Sequence, residues 1–280
     1  MPVVRANGAQ LHYEDSGHGD EVVLFAHGLL MDHTMFAAQR RALESRYRVI
    51  AYDHRGQGQS PPAEGGYDMD TLCDDAAQLI HALGLPSVHV AGLSMGGFVG
   101  LRLAARHPDL VRSLVLLDTS ADAEPWRHAL RFRAMQAGVA LLGVRRFVPA
   151  ILPLMFGAST LADPAQASMV AHWRQKLLRL PRRIVGPVGG VIGRDDVHGE
   201  LAAIRCPVLV VVGEEDATTP PACSERLAAG IAGAELLRLP GCGHSCALEQ
   251  PEAVSAAIDA FLARAIAASG RPLPAARAGR

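Results

Sequence analysis

Residues 90–100 read VAGLSMGGFVG, with Ser94 between Gly92 and Gly96 and with Gly97 and Gly100 just beyond. A mainly apolar run, Val88–Ala91, leads into this stretch, and a segment with helical spacing, Gly97–Arg106, leads out of it and stops before Pro108. A strand that turns directly into a helix needs a very tight turn. Side chains flanking its apex would collide, so glycines are required there, and the apical residue is forced into an unusual backbone conformation with its side chain exposed. At a helix N-terminus that residue also faces unpaired N–H groups, which favour developing negative charge. Gly97 and Gly100 would let the helix pack close to the sheet. The plainer reading makes Ser94 a small residue in a glycine-rich bend. A nucleophilic serine requires the rest of the chain to supply a base, an acid and an anion-stabilising loop.

Working outward, short apolar runs recur, each ending at a polar or glycine-rich loop: Val22–Ala26 at His27-Gly28, Arg48–Tyr52 at Asp53, Leu114–Leu117 at Asp118, Val208–Val212 at Gly213, and Leu236–Leu239. Such runs are expected of strands buried on both faces. Val3–Ala6 and Leu11–Asp15 meet at Asn7-Gly8, a hairpin signal. Helical patterns at Thr71–Leu83, Gly97–Arg106, Pro220–Ala229 and Pro251–Ala267 separate the strands. The alternation predicts an α/β fold, a mainly parallel, doubly wound sheet flanked by helices. From 121 to 199 no strand pattern is convincing. Helical pieces there are cut by Pro149, Pro153, Pro164, Pro181 and Pro187, and a helical lid inserted into the core (1–120 and 200–266) is expected. Residues 267–280, ending in the Pro- and Arg-rich SGRPLPAARAGR, read as a disordered tail.

Composition narrows the function classes. The chain has 280 residues, a formal net charge of −1, 20% charged and 49% hydrophobic residues, so no global basic field would draw in nucleic acid. The N-terminus lacks the basic head and apolar run of a signal peptide, and the apolar run Ala134–Val144 is too short to span a bilayer; a cytoplasmic location is expected. The five cysteines are odd in number and form no CxxC pair, which argues against a disulfide framework. Cys242 and Cys246 flank His244, but the spacing does not suit a zinc site, and neither metal nor cofactor is expected.

A serine hydroxyl needs a base. Of the twelve histidines, His244 lies in LPGCGHSCALEQPE, between the last strand and the final helix, at the sheet edge that also carries Ser94. The acid that would fix its tautomer is best placed at Asp216, after the preceding strand; Glu214, Glu215 and Asp118 are alternatives. An oxyanion hole needs two N–H donors. Met95, next to the serine, offers one, and the loop His27-Gly28-Leu29-Leu30 offers the other from Leu29, with His27 holding the loop.

HG after the third strand, DHRGQGQS from Asp53 to Ser60, GLSMGG around Ser94, GEED ending at Asp216 and GCGHS around His244 together resemble the α/β-hydrolase superfamily over roughly residues 10–265. The resemblance implies a Ser94–His244–Asp216 triad, with Asp53 and Arg55 as scaffold in a structural turn near the oxyanion loop. A serine in the nucleophile position departs from the epoxide hydrolases and dehalogenases, which use aspartate. HGLLMDH departs from the glycine-rich oxyanion loop of the carbon–carbon bond hydrolases and from the lipase HGGG loop. GLSMGGFVGLRLAARHP is most similar to small bacterial esterases, 3-oxoadipate enol-lactonases and cofactor-free haloperoxidases.

The expected function is therefore a metal-free serine esterase or lactonase acting on a small molecule. The alternatives are a perhydrolase on the same residues and a triad-bearing ligand-binding protein with little turnover. Trp126, Met155, Phe156 and Trp173 are candidate pocket residues, bulky and apolar within the insertion. Cations outnumber acids in that segment, which suggests an anionic substrate if they face the pocket.

Overall fold

A computed structural model of the chain describes residues 2–274, so positions 275–280 of the expected tail lie outside the described residues. β1 (Val3–Ala6) and β2 (Ala9–Asp15) form the anticipated hairpin, with Asn7 (φ 46°) and Gly8 (φ 76°) both in the left-handed region that a two-residue turn requires. The strands that follow are β3 (Val22–Ala26), β4 (Arg48–Tyr52), β5 (Val88–Leu93), β6 (Val111–Leu117), β7 (Val208–Gly213) and β8 (Glu235–Leu239). They join one eight-stranded sheet in the order β1-β2-β4-β3-β5-β6-β7-β8. β1 and β2 are antiparallel to their neighbours and all other pairings are parallel.

Every residue of β3, β5 and β7 is buried, as their β-branched and leucine-rich sequences demand. β8 departs from the expectation of burial on both faces. It is the edge strand, only Leu239 is fully buried, and Leu236 is exposed. Ala26 pairs with both Tyr52 and Gly92, and Leu117 pairs with both Leu93 and Val211. This register aligns the carboxyl ends of the central strands and brings the loops that follow them to one edge.

Helices cover both faces. α2 (Met69–Ala82), α3 (Met95–Arg106) and α9 (Pro221–Gly230) pack one face. α1 (Ala37–Leu43), α10 (Cys246–Glu249) and α11 (Pro251–Ala268) pack the other. Between β6 and β7 lie α4 (Trp126–Leu142), α5 (Val148–Met155), α6 (Ala158–Ala162), α7 (Ala167–Leu178) and α8 (Val185–Ile192), with no strand among them. The insertion is fastened to the core. Lys176 Nζ bonds Asp32 (2.7 and 2.8 Å) while its charge sits 4.6 Å over the ring of Trp173. Among the described residues no helix is long and apolar enough to cross a membrane.

Candidate active site

Ser94 caps α3 with φ 51° and ψ −111°, a conformation that costs about 1–3 kcal/mol for a residue with a side chain. The surrounding contacts explain why glycines flank it. A Cβ on Gly92 would lie 2.3 Å from the Gly96 carbonyl oxygen, and one on Gly96 would lie 2.0 Å from that of Ala26 on β3. Gly97 lies against Thr119, whose hydroxyl donates to the Ser94 carbonyl (2.8 Å) and braces the strained turn. The turn, β5 and the neighbouring β3 are thus in direct contact.

His244 follows β8 in a loop pressed against Gly213. A Cβ at Gly213 would meet the Gly243 carbonyl oxygen at 2.2 Å. Its Nδ1 is 2.9 Å from Asp216 Oδ2. The Asp216 carboxylate is itself held by its own turn. It accepts from the Thr218 N–H (2.8 Å), the Thr219 N–H (2.9 Å) and the Thr219 hydroxyl (2.9 Å). Burial pulls the imidazole of His244 down, but Asp216, through charge and hydrogen bond, and then Asp118 and Glu249 outweigh it and hold the group above its ordinary value. With Nδ1 committed to a carboxylate, the free nitrogen is Nε2. Ser94 and His244 line the same cavity, without a hydrogen bond between their side chains.

The other carboxylates considered do not reach the imidazole. Glu214 pairs with Arg238 (3.2 Å), and Glu215 accepts from the Ser159 N–H (2.8 Å). Asp118 is fully buried and accepts from the N–H groups of Gly213 and Cys246 (2.9 Å each), tying β7 to the histidine loop. Burial first, and then the charge of Asp216, push its carboxyl well above the usual range. Cys242 and Cys246 are buried, and burial raises both thiols, so neither supplies a ready thiolate.

One anchoring residue had not been singled out from the sequence. Glu249 is buried on α10 and gathers four donors: the N–H groups of Gly243 (3.0 Å), Ser245 (2.9 Å) and Gly157 (2.9 Å), and the Thr160 hydroxyl (2.5 Å). It binds the histidine loop to α6 of the insertion. The only sequence signal was a carboxylate five residues past the histidine, which also reads as a first-turn helix residue.

On the other side of Ser94, the His27 loop is equally fixed. His54 N–H donates to His27 Nε2 (3.0 Å), so His27 Nδ1 carries the proton and donates to the Gly28 carbonyl (2.7 Å); burial lowers its pKa and keeps it neutral. Gln57 accepts from Leu30 N–H (3.0 Å), and Leu30 has φ 66°. Asp53 accepts from the N–H groups of His33 (2.7 Å) and Gln59 (2.8 Å), and Arg55 Nε donates to buried Asp75 (2.6 Å). These bonds leave the backbone N–H groups of Leu29 and Met95 without an acceptor among the described hydrogen bonds, on the two loops that meet at Ser94.

The cavity measures about 140 Å³ and is walled largely by aliphatic side chains, among them Leu93, Val139, Ile151, Met155 and Val188. Of the four expected pocket residues only Met155 lines it. Phe156 and Trp173 are buried in the core beneath the insertion, and Trp126 stands on the outer surface, 68% exposed. The cationic excess of the insertion does not reach the cavity either. Arg127, Arg131, Arg133, Arg145 and Arg146 are all exposed, and Arg194, the one cation in the wall, is paired with Glu124 at 2.6 Å. The suggestion of an anionic substrate is thereby corrected: the arginines face solvent, and the wall carries no unpaired positive charge among the described residues.

Comparison with known proteins agrees with this architecture. A family profile described as the alpha/beta hydrolase fold matches residues 21–138, and one described as TAP-like protein matches residues 188–268. The chain is 35% identical over 272 residues to RutD of Variovorax paradoxus, whose name assigns it to carbamate hydrolysis, covering 94% of this chain and 99% of that protein. The chain belongs to the α/β-hydrolase superfamily. Solved α/β-hydrolase relatives superpose along nearly the whole length. An esterase from Thermogutta terrifontis matches with a TM-score of 0.88 and 32% identity, covering 95% of this chain and 99% of that one. The enol-lactonase from Burkholderia xenovorans LB400 matches with 0.85 and 28%, covering 93% and 99%.

Proposed function

We propose that this α/β-hydrolase is a serine hydrolase that cleaves carboxylic esters or lactones of small apolar molecules through an acyl-enzyme. The observation that carries the reading is His244, bonded to Asp216, opening onto the same cavity as a strained, helix-capping Ser94. His244 Nε2 takes the Ser94 proton as Oγ attacks the carbonyl carbon. The N–H groups of Leu29 and Met95 hold the oxyanion, each donor worth roughly 10²–10³ in rate. Collapse of the tetrahedral species breaks the bond to the leaving oxygen, which leaves with the proton from His244. A water molecule then attacks the acyl carbon, giving its proton to His244, and the acid departs as Ser94 recovers its proton. Esterase and lactonase relatives support the substrate class, and the aliphatic wall favours uncharged acyl groups.

The test is labelling by a fluorophosphonate together with turnover of short p-nitrophenyl esters. The wild type should be labelled once per chain and should hydrolyse the esters; Ser94→Ala should do neither. Undiminished hydrolysis by Ser94→Ala would overturn the mechanism.

A further inference from the structure

α4 is apolar on two opposite faces. Its inner side presents Phe132, Met135 and Val139 to the cavity of Ser94. Its outer side exposes Trp126 (68%), Leu130 (62%) and Leu141 (74%), and Leu142 (54%) is exposed at the end of the helix. At about 100° per residue, Trp126, Leu130, Ala134, Ala137 and Leu141 fall into one stripe along the helix, with both alanines also exposed. The other large exposed hydrophobic residues, Val3, Leu161, Leu236 and Leu273, are scattered singly over the described surface. Arg127 and Arg131 flank the stripe on one side and Arg133 on the other, with Arg145 and Arg146 just beyond the helix end. None of these five is in a salt bridge among the described residues, and the Arg127 guanidinium lies 5.1 Å over the Trp126 ring. No acid lies within α4.

We propose that the outer face of α4 docks on an anionic lipid surface, so that the helix lies between the lipid and the catalytic cavity. An aromatic and two leucines at a helix face can enter the acyl boundary, and arginines beside them reach back to phosphate groups. A second copy of this chain is a poorer occupant. A two-fold contact through this stripe would set Arg127, Arg131 and Arg133 against their own counterparts with no carboxylate to answer them. Resting on the serine-hydrolase reading, the placement names a substrate class: lipophilic esters that partition into the membrane and enter the aliphatic cavity from it.

The full chain should co-sediment with vesicles of mixed phosphatidylglycerol and phosphatidylcholine, and barely with pure phosphatidylcholine. Fluorescence should shift to the blue on binding in the wild type and lose that shift in Trp126→Phe, since Trp173 is already buried. Replacing Arg127, Arg131 and Arg133 together by glutamine should weaken vesicle binding about a hundredfold, and Leu130→Glu should abolish it. Both variants should hydrolyse a soluble short-chain ester at the wild-type rate. Ser94→Ala should still bind vesicles, which separates docking from hydrolysis. Failure of the wild type to bind anionic vesicles, or binding unchanged in both surface variants, overturns the proposal. So does a wild-type dimer that Leu130→Glu dissociates, which would make the stripe a contact between copies.

Discussion

The carboxyl edge of the sheet and the insertion above it solve different problems. At the edge, side chains and backbone are fixed by contacts with no slack. Gly96 abuts Ala26, Gly213 abuts Gly243, and Asp216 and Glu249 each collect several donors. In the insertion, the cavity wall is built of interchangeable aliphatic residues on short helices, and α4 keeps apolar groups on its outside as well as its inside. The first arrangement fixes the positions of individual atoms; the second shapes a space. If that division is right, substitutions at the edge should cost turnover, and substitutions in the insertion should change which substrate is preferred.

The strongest challenge is Ser94→Ala, expected to lower kcat by roughly 10⁶, read by steady-state ester hydrolysis. Asp216→Asn should lose about 10⁴ in kcat while leaving KM nearly unchanged, because the imidazole is then free to take the wrong tautomer. Glu249→Gln probes whether the edge depends on its anchors. A glutamine offers one acceptor oxygen and turns N–H groups toward donors, so about 1–3 kcal/mol is lost for each donor left unpaired. Thermal unfolding should fall by several degrees, with kcat falling alongside. A variant with lowered stability but wild-type kcat would show that the histidine loop holds its geometry alone.

The pH profile gives a smaller effect of definite sign. The proposed mechanism needs His244 neutral, and Asp216 holds its pKa above the ordinary 6.5. The acidic limb of kcat/KM should therefore have its midpoint above 6.5 and move to lower pH in Asp216→Asn. Because the folded-state value is raised, the stability that His244 contributes is fully present below 6.5 and is lost as pH rises through the folded pKa. In the insertion the expected effect falls on substrate preference and leaves kcat on the best substrate little changed. Met155→Ala should shift the preferred acyl chain by one or two carbons, changing kcat/KM ratios by roughly 10–200-fold per methylene. A uniform loss of kcat on every ester would erase the distinction between the two regions.

Legibility in the sequence follows the same line. The strand ends and the glycine-flanked Ser94 could be read because tight backbone contacts tolerate few residue types. Asp216 could be ranked above Asp118 but not separated from it, since each follows a strand and only packing shows which carboxylate meets the imidazole. α1 gave no usable signal. It is seven residues long, has no side-chain cap, and buries Gln39, whose amide donates to the Ala247 carbonyl (2.9 Å). Trp126 was the opposite error: a large aromatic predicts burial, and here it projects outward on a helix whose inner face is already occupied. Aliphatic composition says that a wall exists but not which side of each helix builds it.

The carboxylate of Glu249 carries a consequence for how such proteins diversify. Two of its four donors come from the histidine loop and two from α6 and the glycine that caps it, so the carboxylate is fully satisfied only when that end of the insertion is seated. The α6 end therefore shares its anchor with the histidine loop, and a change at Gly157 or Thr160 is expected to be felt at His244. α4 and α8 have no such tie to His244. On that reading, exchange of whole segments in those two helices should alter substrate preference while leaving the junction at α6 in place.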